Sequence, residues 1–185
     1  MNRFCVQNLP LEGLKLIHFN PLNDNRGSFS KLFCAEELRL FWPNSVIQVN
    51  YTFTKEKGTV RGLHFQKPPH SDQKLIICLH GEVWDVAVDL RAGSPTLLNW
   101  HSEILSAEKR TALLVPKGFA HGFQACSPNV EMLYLHDSAY SPESEGGLSP
   151  VDPKLSIAWP EPLNLISARD RYHPLLDDYF KGLVI

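Results

Sequence analysis

From position 14 to position 138 the chain is a series of short apolar runs, rich in Val, Ile, Leu, Phe and Thr, that recur roughly every 8–12 residues. Turn-forming residues separate them, and this spacing predicts an all-β sandwich or barrel. Strands are expected near 14–20, 28–34, 46–54, 58–66, 73–80, 82–90, 97–104, 110–115, 119–126 and 130–138. The breaks fall at Asn25-Arg26-Gly27, Lys57-Gly58, His80-Gly81, Ala92-Gly93-Ser94-Pro95, Pro116-Lys117-Gly118 and Ser127-Pro128-Asn129. Ala35 to Phe41 reads as one or two helical turns, ended before Pro43. After Tyr140 the chain turns Pro-, Ser- and Gly-rich through SPESEGGLSPVDP, and its last segment has room for a short helix. No internal repeat is visible, and 185 residues suffice for one domain, 1–185, with a substantial core.

Composition narrows the function classes. The net charge of -2 is spread along the chain, without the Lys/Arg cluster that binds nucleic acid or acidic lipid. Cys5, Cys34, Cys78 and Cys126 are scattered, with no C-x-x-C or zinc-ribbon spacing, and Cys78 lies in the apolar run LIICL as a small hydrophobe would. A reducing, cytoplasmic setting is expected. No window approaches the roughly 20 apolar residues of a membrane span, and the N-terminus lacks a long apolar signal region. The expectation is a soluble, unprocessed protein with neither nucleic-acid nor membrane partners.

One stretch does not fit a plain sandwich. VRGLHFQ, Val60 to Gln66, places an arginine, a histidine and a glutamine on a strand. His64 and Gln66 share one face and Leu63 and Phe65 the other, while Gly62 permits close approach of another backbone or a ligand. An isolated His-x-Gln pair reads as a solvent-facing sheet surface. The second half changes that: Pro116-Lys117-Gly118-Phe119-Ala120-His121 puts a histidine three residues after a Pro-x-Gly turn, and Gly58 precedes His64 by five intervening residues. Together these resemble the two motifs of the cupins, small jelly-roll barrels. The four metal-ligand positions of that pattern here read His64, Gln66, Lys74 and His121. An ammonium in place of a carboxylate opposes a divalent cation at short range, so a fixed positive charge is expected where the metal would sit. The alternative for Lys74 is a side chain that snorkels to solvent.

Asp24-Asn25-Arg26-Gly27-Ser28-Phe29, Arg61 to Gln66, Asp85 to Arg91 with Ser94-Pro95-Thr96, Pro116 to Phe123, and Ile157-Ala158-Trp159-Pro160 resemble the dTDP-4-dehydrorhamnose 3,5-epimerase family. The likeness runs in order from about residue 14 to 180. It implies a cupin jelly-roll β-sandwich with a few short helices, a homodimer, no metal or organic cofactor, and a nucleotide-linked 4-keto-6-deoxy hexose as substrate. It also implies roles. His64 matches the base that removes a proton beside the C4 carbonyl, as an imidazole titrating near neutrality can. Asp170 matches the carboxylate paired with that base, Lys74 falls where the enolate oxygen develops, and Tyr134 matches the proton donor on the other face. Arg26, Arg61 and His121 match positions contacting the nucleotide or its diphosphate. Gln48 and Asn50 match substrate-lining positions, as do Phe29 and Gln66 within the quoted motifs; Glu145 and Arg169 match weaker ones. Read without the resemblance, Asp170, Glu145 and Arg169 are surface residues, Tyr134 is a core aromatic, and Gln48 and Asn50 are rim polars.

The chain departs from the family pattern at Lys31, where a glutamate is usual, at Ala139-Tyr140, where two tyrosines are common, and in the longer loop from Thr52 to Gly58 with Phe53 and Lys55. These departures leave the nucleobase open among dTDP, CDP and GDP, and leave open inversion of C3, C5 or both. Other readings are a 3,4-ketoisomerase and a non-catalytic cupin binding module. A metal-dependent dioxygenase lacks ligands, since only His64 and His121 remain.

Overall fold

Alternation of apolar and polar residues produces strands whose inward faces must meet, and here two sheets do so, antiparallel throughout except for one short parallel strand. The computed structural model describes residues 3–185. In chain order the strands are β1 (Phe4–Asn8), β2 (Lys15–Phe19), β3 (Leu22–Asp24), β4 (Gly27–Phe29), β5 (Gln48–Thr54), β6 (Thr59–Gln66), β7 (Lys74–His80), β8 (Glu82–Asp89), β9 (Trp100–Ser106), β10 (Thr111–Val115), β11 (Phe119–Ala125), β12 (Val130–His136), β13 (Glu145–Gly147) and β14 (Leu165–Ile166). Two single-turn helices complete the set, α1 (Ala35–Leu38) and α2 (Ala168–Arg171). One sheet has the order β1-β2-β10-β7-β12-β5; the other has β13-β6-β11-β8-β9, with β14 also on β6; β3 and β4 form a separate hairpin.

The central strand β7 shows why its sequence is a continuous apolar run. It lies between β10 and β12. Ile76 and Cys78 enter the core between the sheets with Met132, Val83, Ala87 and Phe123, while Leu75 and Ile77 face outward under Phe4, Ile17, Leu38 and Trp42. Both faces are therefore buried, and period-two polarity is lost. The outer face of the second sheet is covered by the chain after Leu148, through Leu155, Trp159 and Leu176 packed on Leu63, Val86 and Val88. Trp84 meets Trp100 and Trp159 edge-on at centroid distances of 5.8 and 5.2 Å. That cover carries α2 onto β6, and with it Asp170.

Most expected strands form within a few residues of their places. The one expected at 28–34 is confined to Gly27–Phe29, because it pairs only with the three residues of β3. The one expected at 97–104 starts at Trp100: Asp89 accepts hydrogen bonds from Arg91 and from the hydroxyls of Ser94 and Thr96, tying the preceding residues into a turn. Burial works against this carboxylate, yet Arg91, Ser94 and Thr96 hold its pKa down at about 2. The helix expected through Phe41 ends at Leu38, and β1, β3, β13 and β14 fall outside the expected strands.

Candidate active site

Between the sheets, at one end, lies a cavity of about 510 Å³, within the range of small-molecule sites. Its two walls come from different sheets. β5, β7 and β12 supply Gln48, Asn50, Thr52, Lys74, Tyr134 and His136; β6, β11 and β13 supply Arg61, His64, Gln66, His121 and Glu145; α2 adds Arg169 and Asp170.

Strict alternation would point Arg61 and His64 to opposite faces of β6. A register shift resolves this: His121 opposes His64 but Phe123 opposes Arg61, so β6 carries one extra residue between them. Gly62 occupies that bulge at φ +127°, and a Cβ there would lie 2.6 Å from the Gly122 Cα. No side chain fits. The same bulge frees the Gly62 N–H, which donates to Asp170 Oδ2 at 3.2 Å.

Asp170 is buried, and its other oxygen lies 2.8 Å from His64 Nε2. Burial raises the pKa of this carboxyl, but the His64 hydrogen bond and charge, the Gly62 N–H and His173 outweigh it and hold the group below the usual carboxylate value. An ionised carboxylate only accepts, so Nε2 of His64 carries a hydrogen, and in the neutral ring it is Nδ1 that has the lone pair. The contact fixes the neutral tautomer as in a triad histidine, an arrangement able to accept a proton at Nδ1.

Tyr134 stands on the opposite wall. It is buried, 6.2 Å from the His121 ring and 6.4 Å from the His136 ring by centroids. Burial drives its pKa far above that of a free phenol, so it is a neutral O–H, a proton donor. Lys74 is 9% exposed, which excludes the snorkelling alternative; its ammonium donates to the His64 carbonyl at 3.2 Å and lies 3.8 Å from Asp72 Oδ2. The cupin ligand positions do not fit a metal ion. Lys74 is cationic, and Gln66 spends its amide on the backbone of His70, Ala139 and Ser141, which bounds the cavity but leaves it a loop-holding part. His121 Nε2 sits 2.9 Å from both oxygens of the fully buried Asp85, whose pKa burial raises.

Two polar residues of the cavity, Asp72 and His136, are not singled out by the sequence reading. Asp72 and His136 each lie two positions from Lys74 and Tyr134, so period two already places them on the same faces. His136 Nδ1 donates to Asp72 at 2.8 Å, Asn50 approaches His136 Nε2 at 3.4 Å, Gln48 donates to Asn50 at 3.0 Å, and Gln48 Oε1 accepts from the Tyr140 N–H at 2.8 Å. Burial raises the Asp72 pKa, but Lys74 and His136 bring it below the ordinary value. Glu145 pairs with Arg169 and accepts from the Tyr140 hydroxyl at 3.0 Å, forming the rim.

Two expected residues are absent from this cavity. Arg26 is paired with Asp24 on the β3–β4 hairpin, its side chain 85% exposed, and Phe29 beside it is 66% exposed. Neither residue lines the cavity of its own chain. Lys31 is paired with Glu37.

The model of the family described as dTDP-4-dehydrorhamnose 3,5-epimerase matches residues 8–178. This chain belongs to that family. A dTDP-4-dehydrorhamnose 3,5-epimerase of Sinorhizobium fredii is 39% identical over 95% of this chain and 91% of its own. The crystal structure of the epimerase from Bacillus anthracis with TDP and PPi bound superposes with a TM-score of 0.90 at 39% identity, covering 94% of this chain and 99% of that one. The Legionella pneumophila epimerase in complex with dTDP-4-keto-L-rhamnose superposes with a TM-score of 0.90 at 35% identity, covering 98% of each chain. As a member of this epimerase family the chain is an isomerase with an all-β, cupin-like fold.

Proposed function

We propose that this chain inverts C3 and C5 of a dTDP-linked 4-keto-6-deoxy hexose, converting dTDP-4-dehydro-6-deoxy-D-glucose to dTDP-4-dehydro-L-rhamnose. One observation carries the reading: a base oriented by a carboxylate and a neutral phenol stand on opposite walls of one cavity, with an ammonium beside them. His64 Nδ1 takes the proton α to the carbonyl, and the C–H electron pair becomes the enolate. Its C4 oxygen develops charge toward Lys74. Tyr134 then gives its proton to the opposite face, and solvent restores both side chains. Arg61, His121 and Arg169 supply cationic or hydrogen-bonding groups suited to a diphosphate. A panel of dTDP-, CDP- and GDP-linked 4-keto-6-deoxy sugars tests the substrate: conversion of the dTDP sugar at rates at least tenfold above the others is expected, and preference for another nucleotide would overturn the assignment.

No cofactor enters these steps. Because Lys74 and Gln66 occupy ligand positions of the cupin pattern, chelator-treated enzyme is expected to keep full activity. Recovery only on adding a divalent cation would contradict this.

The assembly proposed is a homodimer. Val49, Tyr51 and Phe53 form a stripe on the edge strand β5, at 57, 56 and 48% exposed, an apolar surface that a second copy would cover. The exposed hairpin bearing Arg26 and Phe29 then has a place to act, at the mouth of the partner's cavity. Sedimentation at micromolar concentration is expected to give twice the 21.0 kDa chain mass. Tyr51→Glu should shift it to monomer, and a wild-type monomer would refute the proposal. The described cysteines are free and no helix among the described residues is long and apolar enough to cross a membrane, which accords with the cytoplasmic setting proposed here.

A further inference from the structure

His173 lies behind the catalytic pair, and the reaction described above gives it no task. Its Nε2 is buried without a hydrogen-bond partner, 3.6 Å from the Asp170 oxygen that His64 holds at 2.8 Å. The two imidazoles meet edge-on with centroids 5.6 Å apart. Room for the second ring exists because residue 147 is glycine: a Cβ there would fall 2.3 Å from the His173 ring. One nitrogen from each histidine and one Asp170 oxygen lie within 4.8 Å of one another. His173 also borders a second cleft with Phe65, Gly147 and Leu176, which offers the group an approach separate from the substrate cavity.

The geometry points to an inhibitory transition-metal site, with zinc(II) as its ion, formed by His64, Asp170 and His173. Two imidazole nitrogens and a carboxylate oxygen are a common zinc donor set, with a fourth position for water. Bond lengths near 2.0–2.2 Å put neighbouring donors of a tetrahedral ion roughly 3.3–3.5 Å apart. To reach that spacing the His64–Asp170 contact opens from 2.8 Å, the His173–Asp170 contact at 3.6 Å barely changes, and the two imidazole nitrogens, which lie within 4.8 Å of each other, draw together. This trio is separate from the cupin ligand positions, where Lys74 repels a cation.

The consequence for catalysis follows from the imidazole itself. A neutral ring bound to metal through Nε2 carries its hydrogen on Nδ1. That nitrogen is the one the proposed reaction needs unprotonated, so zinc removes the base without filling the sugar's place. The inhibitory effect rests on the epimerase reading; ion binding does not. Inhibition should lower kcat with KM little changed, unlike zinc capture by the substrate diphosphate.

The test titrates chelator-treated enzyme with zinc(II) while following turnover, and in parallel with cobalt(II) while following visible absorption, which reports low-coordinate binding without any substrate. Wild type is expected to lose activity, recover it with EDTA, and give a cobalt band. His173→Phe fills the space over Gly147 but cannot ligate; measured against its own metal-free turnover, it should raise the half-inhibiting zinc concentration at least about tenfold, and abolish the band. His173→Gln, closer in polarity, should repeat these changes if the Phe variant fails to fold. Undiminished inhibition and an unchanged band in either folded variant would overturn the proposal, as would absence of cobalt binding in wild type. A cobalt band that needs His173 but leaves turnover intact would keep the site and refute its effect on the base.

Discussion

His64→Ala is expected to abolish product formation and, with it, exchange of the substrate's α protons with solvent. Both follow from one step, since the enolate cannot form without a base. Loss of a positioned general base commonly costs about 10²–10⁴-fold in rate, and the Asp170 contact that fixes the tautomer is lost too. Asp170→Asn should slow exchange and epimerisation together. An asparagine amide can turn its donor toward the ring, which favours the tautomer whose proton sits on the base nitrogen. The measurement is 1H NMR of substrate and product in deuterated water, with circular dichroism to show that the fold persists. Exchange at wild-type rate in His64→Ala would assign the base elsewhere.

Tyr134→Phe is expected to separate the two processes that His64→Ala abolishes together. The phenylalanine ring keeps the packing of Tyr134 against the His121 and His136 rings and removes only the hydroxyl. His64 can still take a proton and return one to the same face. Product should therefore fall by about 10²–10⁴-fold, the usual range for a general acid, while enolisation persists. Because burial raises the Tyr134 pKa so far, the wild-type phenol stays protonated through the neutral range, and loss of activity toward high pH should not stem from its ionisation below pH 10.

Much of this architecture is legible in the chain because short apolar runs and Gly/Pro turns set strand positions before any tertiary contact is known. The strands around Ile76, Val86 and Leu133 lie where the pattern puts them. Strands made by tertiary pairing were not legible: β13 and β14 are two or three residues long and exist because β6 offers them an edge. The motif VRGLHFQ signalled a site, but alternation alone misplaces Arg61 relative to His64; the bulge at Gly62 depends on how closely Gly122 approaches. Likewise a C-terminal aspartate reads as surface, and only the packing of Leu148, Leu155 and Leu176 over the second sheet buries Asp170 beside His64. His136 and Asp72 were within reach of the period-two rule, whereas His173 was not, since the space it fills is a missing side chain on β13.

The proposed mechanism requires one base and one acid on opposite faces of the same carbon. Tyr134→Phe, incubated with dTDP-4-dehydro-6-deoxy-D-glucose in deuterated water, tests it most directly when deuterium is followed by NMR in the substrate that remains unepimerised. Deuterium is expected to enter that substrate at a rate near the wild-type rate of enolisation while product is scarce. Equal loss of deuterium entry and product formation in the folded variant would contradict it, and would make Tyr134 a residue that positions the sugar.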